Sequence, residues 1–400
     1  MDGSSIAVFW LAYTFGIHII LVNIGIALSV LVPYLKYRAK KNNDQALLNF
    51  SYKLMRFYAA TYGVAGVYAT AFTVFLLSFY PNFLGIAGNI ALMPFAIAIL
   101  LIVVHFTAIT TYYYGWNRLS DKAHNIAGIF LAISALLIPL GFRAVFAFLN
   151  TPKGLYFDGT VARLDLTEAL TNPTLLPLYL KSIVASLTAG LILVTGYAAV
   201  KYYKTSDDSY RNALKSVVDR GVPWALAGLG LMLILGLWYT LSLRVVEYKF
   251  NNIFGPLGWK VGDGTVAFNL SWLLIIKLIL YAAQVYLVYV AYTSIKKSGF
   301  LSRKEASNLL FAGMLALVTI VLGEYLNAFS QYPYFIADVT DPKIIQSIPP
   351  EVLPYLANAL NLTNVNTLAT LTLVQILTIG FMSFLSLATL YFFYIYFKEK

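Results

Sequence analysis

The sequence predicts an all-α protein, a polytopic membrane bundle of about nine transmembrane helices. Sixty per cent of the 400 residues are hydrophobic and 11% are charged, whereas a soluble domain carries roughly a quarter charged residues. The apolar runs exceed the roughly 18–20 residues that cross a bilayer as a helix. No run shows the alternation of a transmembrane β-barrel. We therefore expect residues 1–400 to form a single integral membrane domain.

Nine apolar runs are the predicted spans. The first run is long and lacks a small-residue cleavage site, so we expect a retained helix rather than a signal peptide. The spans are 5–36, 46–79, 89–114, 123–149, 174–202, 211–245, 266–295, 304–328 and 367–397.

The basic residues favour one orientation of the bundle. Loops at one end hold 19 lysines and arginines and those at the other hold 7, while 2 lie within spans, which accounts for all 28. Cytoplasmic loops carry such an excess, so we expect the N-terminus outside, the C-terminus inside and a multi-pass protein of the cell membrane. Topology also explains the net charge of +11, so the expected partner is the lipid bilayer and not nucleic acid. The seven outer residues are Arg143, Lys153, Arg163, Arg244, Lys249, Lys260 and Lys343.

Two outer segments are longer than the other connections. We expect 150–173 and 329–366 to form caps of loop and short helix. The glycosylation sequons Asn269-Leu-Ser and Asn361-Leu-Thr lie near or in outer segments, which makes glycosylation an option there.

The absence of cysteine restricts the chemistry. It excludes disulfides, Cys-ligated iron–sulfur clusters and covalently attached haem. A high isoleucine, tyrosine and lysine content without cysteine also suits a thermophilic source, such as an archaeon.

Three histidines are candidate ligands. His18 and His105 fall roughly 20–25 Å from the outer ends of their helices at about 1.5 Å per residue, so they could share one cofactor or one proton path. For each of these two histidines taken alone, we favour a structural role, in which the imidazole is hydrogen-bonded and packed inside the protein. His124 begins the fourth span. Three histidines allow at most one bis-histidine haem, and no metal site beyond a haem iron is indicated.

Three further ionisable residues are predicted inside the membrane, where each is a candidate site because its burial is costly. Lys181 and Lys277 lie roughly 12–17 Å inside the outer boundary, and Glu324 lies nearer that surface. They either converge in a structural polar cluster, with Glu324 as the counter-ion, or the two lysines extend separately to the headgroups.

One stretch resembles a known family. The run YYYGWNRLSDKAHN, preceded by GNIALMPFAIAILL, resembles subunit I of the cytochrome bd quinol oxidases, as do Ser134-Ala-Leu leading to Asn150-Thr-Pro and Ile183-Val-Ala-Ser. The resemblance covers nearly the whole chain and implies nine helices with this orientation. The matching residues are His18, Gly88, Pro94, Gly115, Trp116, Asn117, Arg118, Leu119 and His124.

The resemblance implies three haems in subunit I, but the ligand positions differ here. The family's helix-five histidine is Ser182, and the methionine that follows the basic residue of helix seven is Ile279. The helix-three glutamates align near Ala98 and His105, and helix eight loses its glutamate and arginine around Ala328. His18 is left as a ligand, with His105 as an unusual second. We therefore expect at most one or two haems, of b or d type, or none.

The quinol-binding loop of the family is also shortened. About 22 residues, RVVEYKFNNIFGPLGWKVGDGT, join spans six and seven. Glu247 and Lys249 are polar enough to contact a quinol headgroup, although an ordinary loop pair is the simpler interpretation.

Three functions remain open. The first is a haem-poor or haem-less partner of a catalytic, haem-bearing subunit in a bd-type quinol oxidase, part of an oxidoreductase complex in the respiratory chain. The second is a redox-active subunit with a reduced haem set around His18 and His105. The third is a transporter or channel, which predicts inverted repeats, and we find no matching halves. An absorbance spectrum separates the first two.

Overall fold

The structure is a computed structural model that describes residues 3–336 and 348–398. The basic residues Lys343 and Lys400 of the orientation count lie outside the described residues. In chain order the helices are α1 (Gly3–Lys41), α2 (Gln45–Phe79), α3 (Pro81–Ile90), α4 (Leu92–Tyr114), α5 (Asp121–Asn150), α6 (Leu166–Leu170), α7 (Leu175–Tyr202), α8 (Asp208–Ser242), α9 (Glu247–Phe254), α10 (Ser271–Ser298), α11 (Arg303–Phe329), α12 (Leu353–Ala359) and α13 (Thr372–Lys398).

The prediction of nine spans is confirmed. Within the described ranges, nine of these helices are long and apolar enough to cross a membrane, and the short α3, α6, α9 and α12 are not. We name the two ends of the bundle by their connections. The basic end holds 42–44, 115–120, 203–207 and 299–302, and the capped end holds 151–174, 243–270, 330–336 and 348–371.

Polar caps begin the helices at the basic end. The Asp44 carboxylate accepts from the Leu47 N–H at 2.8 Å at the start of α2. Ser302 and Glu305 form a capping box at the start of α11. These side chains satisfy N–H groups that have no partner within their own helix, so the connections at this end can be short.

Three helices form the centre of the bundle. Half or more of the residues in the most apolar stretches of α1, α7 and α11 are buried, against about a quarter or less in the other spanning helices. A Cβ on Gly196 would lie 2.4 Å from the Leu310 Cα, and a Cβ on Gly313 would lie 2.7 Å from the Leu193 Cα. The backbones of α7 and α11 therefore touch at two levels, as small residues allow in membrane helices.

The hydrophobic core has three parts. The largest lies between α1, α2, α7, α8 and α11 and includes Leu28, Phe50 and Leu214. A second part joins α1 and α2 to α3 and the capped end. The third packs α9 against α8 and α10.

The last helix, α13, is the most exposed of the spans. Two polar contacts join it to α1. Trp10 Nε1 donates to Gln375 Oε1 at 3.1 Å, and the hydroxyls of Tyr13 and Ser386 are 2.5 Å apart. The first and last spans of the chain are therefore neighbours.

The capped end contains a β-hairpin that the sequence did not predict. Strands β1 (Leu155–Asp158) and β2 (Val161–Leu164) pair antiparallel, with Leu155 opposite Leu164. The expectation for 150–173 was loop and short helix, and only α6 fits it. The signal was present, because a glycine begins the two-residue connection Gly159-Thr160, and glycine at the first turn position favours a hairpin. Gly159 has a φ of 61° in this turn, a conformation that glycine adopts readily.

The contact between α7 and α11 gives a direct test. We expect Gly196→Ala to lower the thermal unfolding temperature of the detergent-solubilised protein by several degrees, because its Cβ meets the backbone of Leu310 and such overpacking costs about 1–3 kcal/mol. Gly230→Ala on α8 is the matched control, since no atom lies within 4 Å of its added Cβ. Equal unfolding temperatures for the two variants would contradict the packing described.

Candidate functional site

His18 has one ring nitrogen engaged and one available. On α1, its Nδ1 lies 3.0 Å from the carbonyl oxygen of Ala65 on α2. A carbonyl accepts, so Nδ1 carries the proton and Nε2 carries the lone pair. Among the described residues Nε2 has no hydrogen-bond partner. Histidines that bind metals commonly donate their other N–H in this way, so His18 retains the geometry of a ligand.

His105 uses both of its ring nitrogens. Nε2 lies 2.6 Å from the hydroxyl of the buried Tyr58, and Nδ1 lies 2.8 Å from the Ser134 Oγ. Since Ser134 donates its own proton to the Phe130 carbonyl at 2.7 Å, Nδ1 donates to Ser134. In the neutral imidazole Nε2 then accepts from Tyr58, and the ring ties α2, α4 and α5 together.

The two histidines contact α2 at different levels. His105 meets Tyr58 and His18 meets Ala65, two turns apart or roughly 10 Å along the helix axis. An iron bound by both would require His105 to give up one of its hydrogen bonds.

The loop that carries the family resemblance closes the basic end. His124 is fully buried and donates from Nε2 to a carbonyl of α4 at 2.9 Å, while its Nδ1 has no hydrogen-bond partner among the described residues. The Lys36 ammonium lies 4.3 Å above the Trp116 ring, and a Cβ on Gly115 would lie 2.4 Å from a carbonyl oxygen of α4. Arg118 is exposed. Gly115, Trp116 and His124, by contrast, are tightly packed.

A buried ion pair occupies the capped half of the bundle. Arg143 on α5 donates from its two terminal nitrogens to the two carboxylate oxygens of Glu324 on α11, at 2.9 and 2.6 Å. Both residues are 8% exposed. Lys181 and Lys277 also interact electrostatically with Glu324, and the Lys181 ammonium lies 4.2 Å above the Tyr239 ring. The structure thus brings Lys181 and Lys277 together with Arg143 around Glu324.

Lys249 extends this network from the loop helix α9. The side chain is fully buried. Its ammonium donates to Asn150 Oδ1 at 2.6 Å, to the Asn327 carbonyl at 2.5 Å and to Gln331 Oε1 at 2.9 Å. Tyr239 links the same residues, because its hydroxyl accepts from Asn150 at 3.3 Å and donates to Asn327 Oδ1. All three hydrogens of the ammonium are used, so Lys249 is not available to a quinol headgroup.

The charge of this network is unbalanced. Arg143, Lys181, Lys249 and Lys277 share the single carboxylate of Glu324 within the cluster. Burial, together with the charge of Lys181, lowers the pKa of Lys249 well below its ordinary value. The three acceptors oppose that shift because they stabilise the charged ammonium.

Sequence reasoning did not place Arg143 and Lys249 in this network. Both were counted as outer-end basic residues, whereas the structure buries them. The signal for Arg143 was its place inside the fourth predicted span, where an arginine needs an acidic partner. Lys249 was considered only for contact with a quinol headgroup, and its acceptors could not be predicted because they come from segments distant in sequence.

The Arg143–Glu324 pair supports a stability test. Glu324→Gln leaves the guanidinium buried without its counter-ion, so we expect a loss of about 3–5 kcal/mol and a lower unfolding temperature. The double change Arg143→Met with Glu324→Met should recover most of that loss. Arg163→Met, which breaks the exposed pair with Asp158, is the control and should change stability by about 1 kcal/mol or less. A double variant as unstable as Glu324→Gln would contradict the pairing.

Lys249 gives a second test. We expect Lys249→Met to destabilise the protein by roughly 3–5 kcal/mol, because three buried acceptors lose their donor. Limited proteolysis should then cut the segment 243–270 faster than in the parent protein. Lys260→Met in the same loop removes an exposed charge and should change neither property. Unchanged proteolysis of Lys249→Met would show that the loop is held by other contacts.

Comparisons with known proteins agree on one family. The family model described as cytochrome bd terminal oxidase subunit I matches residues 6–246, well over half of the chain. The putative cytochrome bd menaquinol oxidase subunit I of Bacillus subtilis (strain 168) is 27% identical over 195 residues, which cover 48% of this chain and 44% of that relative. The aligned part therefore spans less than half of the relative's length.

A solved structure shares the fold over the whole chain. The bd oxidase from Geobacillus thermodenitrificans superposes with a TM-score of 0.73 at 17% identity, covering 98% of this chain and 99% of that chain. The likeness extends beyond residue 246 to the helices that the family model leaves unmatched. The chain belongs to the cytochrome bd terminal oxidase subunit I family.

Proposed function

We propose that this chain is a haem-poor or haem-less partner subunit of a bd-type quinol oxidase complex. It would stand beside a catalytic subunit that carries the haems and would serve respiratory electron transfer in the plasma membrane. Membership of the family implies haem cofactors and further oxidase subunits. The partner role rests on the residues that stand where, by resemblance, the family has its haem ligands.

The low-spin haem position carries the proposal. Ser182 stands in place of the histidine, and its hydroxyl donates to the Leu178 carbonyl of its own helix at 2.8 Å. Ile279 stands in place of the methionine and is 61% exposed on the outside of the bundle. Haem iron in this family type needs an imidazole or thioether ligand, which neither residue supplies.

The other ligand positions do not fit either. Ala98 is fully buried at a close contact of α4 with α5, where a Cβ on Gly141 would lie 2.9 Å from the Ala98 Cβ. Ala328, in place of the helix-eight glutamate, is an exposed methyl group. The described residues therefore do not fit the three-haem set of the family.

The polar cluster supports the same proposal. Lys181 precedes Ser182, and Lys277 lies two residues before Ile279. Both ammonium groups interact electrostatically with Glu324, and they lie on the helices where ligands would be expected. We infer that this ionic network takes over part of the cohesion that a haem gives when it joins helices.

One observation favours a second candidate, a single haem on His18. The bond from Nδ1 to Ala65 fixes the imidazole, and Nε2 is available. A haem there would supply one-electron redox chemistry. The role of this chain would be limited to binding and orienting that haem, with His105 kept as the hydrogen-bonded link described above.

Haem content distinguishes the two candidates. The native complex is purified, its subunits are identified, and haem per polypeptide is measured by extraction and by reduced-minus-oxidised absorbance. For the partner subunit we expect a second, haem-bearing subunit, less than one haem on this chain after separation, and an unchanged spectrum in His18→Ala.

His105→Gln is the control for packing and should lower the unfolding temperature without moving any absorbance band. Loss of a Soret and an α band in His18→Ala would favour the second candidate. Isolation of this chain as a homo-oligomer with no redox partner would rule out the partner role.

A further inference from the structure

Three sequons allow a comparison within one chain. N-linked glycans are attached to asparagine in Asn-x-Ser/Thr, where x is not proline. The chain has this pattern at Asn49, Asn269 and Asn361. The three sites differ in their end of the bundle, in backbone conformation and in the burial of the hydroxyl residue.

Asn361 is half-buried and begins a turn of the capped end, in which the Asn364 N–H donates to its carbonyl at 3.1 Å. Its backbone forms an antiparallel bridge with Tyr334. The Asn361 Oδ1 accepts from the backbone N–H and from the hydroxyl of Thr363, both at 2.8 Å. Among the described residues its Nδ2, the atom that bears a glycan, has no hydrogen-bond partner. Thr363 is exposed, so a transferase can approach both residues that define the sequon.

Asn49 differs in all three respects. It lies within α2 near the basic end. Ser51 is fully buried, and its hydroxyl donates to the Leu48 carbonyl at 2.8 Å. A helical acceptor with a buried hydroxyl offers a transferase neither an accessible turn nor an accessible hydroxyl.

Asn269 is at the capped end but adjoins the membrane. Its hydroxyl residue, Ser271, is the first residue of the spanning helix α10 and is 8% exposed. Leu270 between them is 2% exposed. Asn269 itself is exposed, and its Oδ1 accepts from the N–H and hydroxyl of Ser271 as Asn361 does from Thr363. This sequon therefore differs from that of Asn361 in the burial of its hydroxyl residue.

We propose that Asn361 is N-glycosylated, and that the capped end faces the outside of the cell. In this reaction the amide nitrogen forms a bond to C1 of a sugar supplied by a lipid-phosphate-linked oligosaccharide. The bond from C1 to the phosphate oxygen breaks, the lipid phosphate leaves with that electron pair, and Nδ2 loses one proton. Such transfer takes place on the side away from the cytoplasm, which agrees with the few basic residues at this end.

Peptide mapping of the native protein tests the proposal. The complex is purified from its own membranes, digested and analysed by mass spectrometry. We expect the peptide with Asn361 to carry a sugar mass in most molecules and the peptides with Asn49 and Asn269 to carry none. An unmodified Asn361 peptide, or a glycan on Asn49, overturns the proposal.

Two variants separate the sequon from the local fold. Thr363→Ala keeps the asparagine but removes the hydroxyl that the transferase reads, so the glycan and its shift in gel mobility should be lost completely. Asn364→Gln changes an exposed neighbour and should keep both. A glycan that persists in Thr363→Ala overturns the assignment. If the Thr363→Ala protein does not accumulate, the peptide map of the wild-type protein is the test. Haem content does not affect whether Asn361 carries a glycan.

Discussion

The buried pair of Arg143 and Glu324 is the interaction on which the capped half of the bundle depends. A lone carboxylate among apolar helices would be very costly, and the planar guanidinium fork offers it two parallel hydrogen bonds. The pair joins α5 to α11. It also fixes the position of the Glu324 carboxylate among the cationic side chains of Arg143, Lys181, Lys249 and Lys277. Lys181 and Lys277 are arranged around that charge. The loop helix α9 then attaches through Lys249 to the residues at the ends of the same two helices.

Hydropathy was enough to predict the membrane spans, because each must bury about 20 apolar residues in lipid whatever its neighbours are. The same reasoning could not predict which polar side chains meet. Arg143 and Glu324 are 181 residues apart, and their pairing depends on how α5 and α11 are rotated. The expected partners of Glu324 were the lysines, whereas the hydrogen bonds to its carboxylate come from Arg143. The hydrogen bonds of Lys249 could not be predicted for the same reason, since its acceptors come from α5, α11 and the turn after α11.

The two histidines show that residues matched by a family resemblance can differ in their hydrogen bonds. By resemblance, His18 and His105 both stand near ligand positions, and sequence alone gave them the same chemistry. The hydrogen bonds distinguish them, because His18 keeps a free lone pair and His105 spends both nitrogens on Tyr58 and Ser134. Two histidines near ligand positions can therefore differ in role, because one keeps a lone pair and the other links three helices.

The joining of the first and last spans has a consequence for biosynthesis. Trp10 and Gln375 are 365 residues apart, so at about 5–20 residues per second their bond forms roughly 20–70 s after Trp10 is made. During that interval α1 is already in the membrane with its indole N–H and the Tyr13 hydroxyl lacking their final partners. Unpaired donors in lipid are costly, so the nascent α1 must remain beside the insertion machinery, water or another helix until α13 arrives. The last helix to be synthesised completes the surface of the first.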